Sequence, residues 1–226
     1  MIVWIIAVAL MILLAIFGYT HGVVKMAILG LGLLIGCAIA MPFSTLLYPI
    51  FRIAKIYNPL ILWTISPLII ILVASIVSSA VATIVSNKVE AYFKHRVPDF
   101  VKVLWDRINE RLGICVSMIN ALIYFLIICV AGYTLGYPAY QLSSGDQDSG
   151  MFKMLVKFYE DLDKTKMNKV AAALDPAPPK YYAWSDAIAI LYHNPQLWER
   201  AGKYPPIMAL CEKPEFQDIL KDEGLV

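Results

Sequence analysis

Four apolar runs, each interrupted by a short polar or proline-containing stretch, dominate the first 137 residues. Residues 1–17 are apolar without a break, about 25 Å of helix, which is the short end of a membrane-spanning length. Gly18-Tyr-Thr-His-Gly-Val-Val-Lys25 is a brief turn-permitting interruption and predicts a tight helical hairpin. Residues 23–41 form a second span ended by Pro42. Residues 43–58 mix Leu46, Tyr48, Ile50 and Phe51 with Arg52 and Lys55, a pattern suited to the headgroup level. From Pro59 to Ser86 the chain is too long for one span, so Pro67 divides an interfacial lead-in (59–66) from a third span (67–86). A fourth span covers 114–137, and Tyr133 and Tyr137 with Pro138 mark its exit to the interface.

Between the third and fourth spans, Val89, Phe93, Val97, Phe100, Leu104, Ile108 and Leu112 recur every three or four residues opposite most of the charges. That periodicity predicts an amphipathic helix, or a pair broken near Pro98, lying on the membrane surface with its basic residues toward anionic headgroups. Beyond it, Ser143–Gly150 has the composition of a flexible linker. Short helical segments follow at Met151–Asp163, Met167–Leu174, Ser185–His193, Pro195–Gly202, Pro206–Glu212 and Pro214–Lys221, with a rigid turn at Asp175-Pro-Ala-Pro-Pro. Tyr181, Tyr182, Trp184, Tyr192, Trp198 and Tyr204 are the expected core and rim of this part. The predicted class is all-α: a four-helix transmembrane domain (1–137) with an amphipathic interfacial helix between spans 3 and 4, a linker (138–150), and a small all-α extracytoplasmic domain (151–226).

Charge sharpens this division and gives it a direction. Apolar residues make up 60% of the chain and charged residues only 16%, against roughly 25% charged in soluble domains. Residues 1–137 carry nine Lys/Arg and four acids, whereas 138–226 carry ten and thirteen. With four spans, Lys25 and the six basic residues Lys88, Lys94, Arg96, Lys102, Arg107 and Arg111 share one side; Arg52 and Lys55 lie on the other. The excess of short-loop basic charge belongs to the cytoplasm, so both termini and residues 138–226 are expected outside it, in a multi-pass protein of the bacterial inner membrane.

Packing candidates come from small and polar residues inside the spans. Gly32, Gly36 and Ala40 recur every four positions, a flat groove that either another helix of the same subunit or a second copy of the chain can enter. Ser78 and Ala82 belong to a small-residue stripe on the third span, and Asn120 is the one strongly polar residue of the fourth. Each is read as helix-packing glue, with a polar conduit as the alternative. Catalytic chemistry has no candidate: His21, His95 and His193 fall in three separate segments, and no nucleophile elbow, zinc-helix motif or phosphate-cradling glycine loop occurs. No cofactor or metal site is expected. Asp146, Asp148 and Gly150 do not continue into a calcium loop, because Met151 and Lys157 stand where Gly and Glu are needed. Nucleic-acid binding would need a denser basic face than 88–111, which contains four acids. Cys211 is the one cysteine outside the apolar segments, so no disulfide framework is available there.

Two stretches resemble the colicin V production (CvpA) family of bacterial inner-membrane proteins. The first is Phe17-Gly-Tyr-Thr-His-Gly-Val-Val-Lys-Met-Ala-Ile-Leu-Gly-Leu-Gly-Leu-Leu-Ile-Gly36, where His21-Gly22 stands in place of the family's usual Arg-Gly. The second is Asn109-Glu-Arg-Leu-Gly-Ile-Cys-Val-Ser-Met-Ile-Asn-Ala121, which keeps Gly113 but lacks the arginine at the entry to the last span. The resemblance covers about residues 1–137 and implies four spans with both ends outside, in a family linked to toxin export and envelope integrity. The tail, through Asn194-Pro195 and Lys213-Pro214, is similar to the proline-started helical repeats of STI1-type chaperone modules. The expected function is a non-enzymatic accessory or scaffold protein. Its partners would be anionic membrane lipid and other membrane or envelope proteins or a second copy of itself. The alternative is a component of a transporter or channel for toxin or solute export.

Overall fold

A computed structural model describes residues 1–53, 59–143 and 150–204, and every element among them is helical. The expected helices at Pro206–Glu212 and Pro214–Lys221, most of the expected linker, and Lys55 and Cys211 lie outside the described residues. Three helices are long and apolar enough to cross a membrane: Ile2–Ile53, Leu62–Arg96 and Asp99–Leu142. The first comprises α1 (Ile2–Ser44), a 3-10 turn at Thr45–Leu47, and α2 (Tyr48–Ile53). Next come α3 (Pro59–Arg96) and α4 (Asp99–Leu142). Four short helices follow: α5 (Gly150–Lys164), α6 (Met167–Leu174), α7 (Pro179–His193) and α8 (Pro195–Gly202). The chain divides into two compact units, Met1–Pro42 with Pro67–Cys129, and Phe43–Ser66 with the chain from Val130 onward.

Pro42 departs from the sequence reading, which ended a helix there. Pro42, Pro67 and Pro138 all lie inside helices that continue past them. A proline removes one N–H from the helical ladder, but in a long apolar helix the remaining bonds hold the element together. The amphipathic stretch is the pair broken near Pro98, and not one continuous helix. Its first half is the end of α3 and its second half the beginning of α4, with only Val97 and Pro98 between them. The Pro98 carbonyl accepts the Val101 and Lys102 N–H groups at 3.0 and 3.1 Å and so starts α4. Phe93 and Trp105 stack face to face across the turn, with ring centroids 4.2 Å apart and planes within 1°. The basic stretch is therefore a helical hairpin continuous with the two apolar helices.

In the first unit α1 is broken at Gly22, whose φ of 73° and ψ of 172° are open only to glycine. A Cβ there would also overlap the Asn109 side chain. On one side of the break Gly18 lies against Gly113 and Ser117; on the other, Gly30 lies against Asn120. The chain thus climbs the same stretch of α4 when followed away from Gly22 in either direction. Asn109 holds the break in place, its carbonyl oxygen accepting the Val23 N–H at 2.8 Å. That N–H opens the second arm and has no helical acceptor of its own, so Asn109 caps the arm from 86 residues away.

The core of this unit follows from the same close approaches. Met26, Gly30, Leu33 and Ala40 are buried on the second arm, Val3, Ala7 and Gly18 on the first, and Ser117, Asn120, Ala121 and Phe125 on α4. Apart from the adjacent Asn120 and Ala121, neighbouring members are three, four, seven or eleven residues apart, which keeps each set on one face of its helix. Gly22→Ala is expected to cost on the order of 1–3 kcal/mol from backbone conformation alone, before the Asn109 clash is added. Thermal unfolding in detergent, followed by circular dichroism, should show a lowered midpoint for Gly22→Ala. Gly150→Ala, where a Cβ meets nothing within 4 Å, should leave the midpoint near that of the wild type. Equal midpoints for the two variants would contradict the hinge.

Candidate functional site

The second unit is built on the last three turns of α4, where glycines and tyrosines alternate. Gly132 and Gly136 expose the helix backbone, and Phe158 and Tyr159 of α5 occupy the space a Cβ would take at each. Tyr159 is ringed by Tyr133, Tyr137 and Tyr140, with centroids 5.8, 6.1 and 5.3 Å away. Tyr182 of α7 packs edge-on to Tyr137 at 4.9 Å, and Tyr181 meets Trp63 of α3 at 6.3 Å. Offset and edge-on geometries of this kind add about 0.5–1.5 kcal/mol per pair beyond area burial.

Hydrogen bonds fix how these rings sit. Pro138 has no N–H to give the Thr134 carbonyl four residues earlier, and the Tyr181 hydroxyl donates to that carbonyl instead, at 2.7 Å. Tyr181 is almost fully buried, so this bond replaces a helical one in a dry setting. The Thr134 hydroxyl donates to Asp175 at 3.0 Å. Asp175 also accepts the Ala177 N–H at 3.0 Å, closing the Asp-Pro-Ala turn on itself, and the Tyr182 hydroxyl on its second oxygen. The Tyr137 hydroxyl donates to Asp186 at 2.8 Å, and a His193 ring nitrogen bonds the Gln141 carbonyl at 2.9 Å. Together these attach α7 and the turn before it to the end of α4 at three successive levels, Thr134, Tyr137 and Gln141.

Burial pushes the Asp175 carboxyl above its ordinary value, against the opposing pull of the bonds from Ala177 and Thr134. Burial, assisted by neighbouring phenols and Asp163, pushes Tyr159 up to about 12, and burial with the nearby Asp175 charge raises Tyr181 as well. Both phenols therefore remain protonated at neutral pH, and Tyr181 keeps the proton it donates. Among the described residues, no group of three or more His, Cys, Asp and Glu gathers as metal ligands would. The cluster is a structural joint whose outward side is apolar: Trp184 and Ile190 of α7 are 49% and 55% exposed, with Ala187 exposed between them.

Of the residues singled out from sequence, Gly32 meets Ser78 closely enough that a Cβ would overlap the serine hydroxyl, and Gly36 lies against Ala74. Ala40 and Ala82 are buried. Asn120 is buried and donates to the Met26 carbonyl at 2.8 Å beside Gly30. The hydroxyls of Ser75, Ser78 and Thr83 donate to their own helix at the carbonyls of Ile71, Ala74 and Ser79. Lys25 is half-buried on α1; Lys88, Lys94 and Arg96 are exposed on α3; Lys102 is half-buried and Arg107 and Arg111 are exposed on α4. Gly132, Gly136 and Thr134 escaped the sequence reading, while Asp175 was read only as the opening of a rigid turn and Asn109 only as part of the second family-like stretch. Gly132 and Gly136 carry the same four-residue spacing as Gly32 and Gly36, and Thr134 stands four before Pro138, so both signals were present.

Tyr181→Phe should cost about 1–3 kcal/mol, because it leaves the Thr134 carbonyl buried without a donor. Adding Pro138→Ala restores a helical N–H to that carbonyl, so the double variant should recover most of the loss. A thermal-unfolding cycle in detergent that showed simple additivity would refute the pairing. Asp175 has its own pH signature. A carboxyl raised in the folded state is penalised when ionised: the penalty is full above its folded pKa, lifts as pH falls below that value, and is gone below the unfolded value. Stability of the tyrosine cluster, read by near-ultraviolet circular dichroism, should therefore rise from neutral pH towards 3.8 relative to Asp175→Asn. A wild-type advantage that instead fell in that window would contradict the buried setting.

Compared with family models, curated proteins and solved structures, the chain matches none.

Proposed function

We propose that this chain is an integral-membrane accessory or scaffold protein of the CvpA-like type. Its spans pack against one another and against membrane partners, and its helical outer unit presents a protein-docking surface. The observation that carries this reading is the apolar outer face of α7, Trp184, Ala187 and Ile190, on helices anchored to α4 by the tyrosine cluster. Exposed aromatic and aliphatic residues on a rigid support are the usual anchors of protein interfaces. Partners on this reading are membrane or envelope proteins, with anionic lipid around the basic hairpin.

Four spans rather than three fit the fold-back at Gly22. Each arm of α1, 2–21 and 23–44, is about 30 Å long, enough for the hydrocarbon core. Both ends of the membrane part then lie on one side, with Lys25 and the basic hairpin on the other, and the positive-inside rule makes that other side the cytoplasm. The two stretches that resemble the CvpA family are the two that meet at Gly18, Gly22, Asn109 and Gly113, which supports placing the chain near that family. A transporter or channel component is the weaker reading, since the hydroxyls that would line a conduit are turned back onto their own helix.

Purification in mild detergent should yield a stoichiometric protein partner that Trp184→Ala with Ile190→Ala releases while the chain stays folded. A folded chain that never carries a protein partner would contradict the scaffold. Flux in proteoliposomes abolished by Asn120→Leu would favour transport.

A further inference from the structure

One stripe of α4 stays exposed from the apolar part of the helix to the tip of the basic hairpin. Followed from Leu122, it passes Met118, Cys115, Arg111, Arg107, Leu104 and Phe100, spaced by three or four residues and so on one face. The opposite face is the one that meets α1, through Asn109, Gly113 and Asn120. Within the apolar segment an exposed face of large side chains is the lipid face. Arg111 and Arg107 are the first polar residues on that face as it leaves the apolar segment, where lipid phosphates begin. They lie one helical turn apart, about 5–6 Å between Cβ atoms. Neither forms an ion pair or hydrogen bond among the described residues, and Glu110, three residues beyond Arg107, lies to the side of the stripe and does not pair with it.

We propose that Arg107 and Arg111 together bind the phosphate of an anionic phospholipid, each guanidinium donating to the phosphate oxygens as a planar fork. Three features argue for lipid: the positive charge, the absence of an internal partner, and continuity with the lipid-facing stripe. The planar donors of arginine suit phosphate oxygens better than the point charge of lysine. Lys88 and Lys94 lie exposed on α3 in the same hairpin but outside this stripe, and so act only through the general field. This inference rests on the chain being embedded in a bilayer, not on its having a protein partner.

The test uses the full chain in nanodiscs of phosphatidylcholine containing phosphatidylglycerol, followed by native mass spectrometry of retained lipid. Wild type should retain phosphatidylglycerol in preference to phosphatidylcholine. Arg107→Gln with Arg111→Gln should lower that retention by about thirtyfold or more, since two cations at roughly 1 kcal/mol each near a charged surface are lost together with their forks on the phosphate. Lys88→Gln with Lys94→Gln, an equal loss of charge, should lose only the general-field share and so several-fold less than the arginine double. Arg107→Lys with Arg111→Lys keeps charge and helix propensity and should still lose several-fold. Equal losses in the Gln doubles, no loss in the Lys double, no anionic preference in wild type, or displacement by inorganic phosphate alone would each overturn the proposal. Co-elution of protein with the nanodisc separates failure of this site from failure to enter the membrane.

Discussion

Apolar helices that stay in lipid gain nothing by hiding their side chains from one another, so their packing depends on how closely their backbones approach. In this chain that approach is set at the Gly22 break. There the backbone takes a conformation only glycine tolerates, and Asn109 satisfies the N–H that the break leaves open. The contacts of the first unit follow from it. Gly18 rests on Gly113 and Ser117 on one side of the break, and Asn120 reaches the Met26 carbonyl beside Gly30 on the other. A larger residue at Gly22 would remove both the backbone conformation and the space for the cap.

The second unit solves a related problem with different means. Pro138 takes a donor away from α4, and the freed Thr134 carbonyl becomes the acceptor for Tyr181. Around that bond, Asp175 gathers hydroxyls from α4 and α7 and one backbone N–H, while Gly132 and Gly136 admit the rings of α5. Phenols suit this place because they bury an apolar ring and still donate a hydrogen bond. An unpaired carboxylate in the same position would be costly, and the upward pull on Asp175 shows that part of this cost persists despite its partners.

Periodicity made the helical class and the long apolar helices legible from sequence, because burial and lipid exposure both act through the 3.6-residue repeat. His21-Gly22 was legible as a turn for the same reason that it works as one: glycine permits the conformation. Asn109 was not legible, since its partner is 86 residues away and an isolated polar residue in a charged stretch looks like any solvated position. Pro42 misled, because a proline ends a helix in water more readily than in a long apolar segment. The amphipathic stretch was legible by its spacing, and a pair of helices broken near Pro98 was one of the two arrangements that the spacing allowed. The stacked Phe93 and Trp105 accompany that arrangement, and their pairing is a tertiary contact that periodicity does not reveal.

One distance tests the fold-back at Gly22. Trp4 and Met41 lie near the ends of the two arms and are exposed, so both can be replaced by spin-labelled cysteines in a chain whose native cysteines have been removed. A fold-back puts the labels within about 20 Å of each other, two helix diameters at most. An unbroken helix would put them about 55 Å apart at 1.5 Å per residue. Pulsed electron spin resonance in nanodiscs should return the short distance, and the long one would contradict this account.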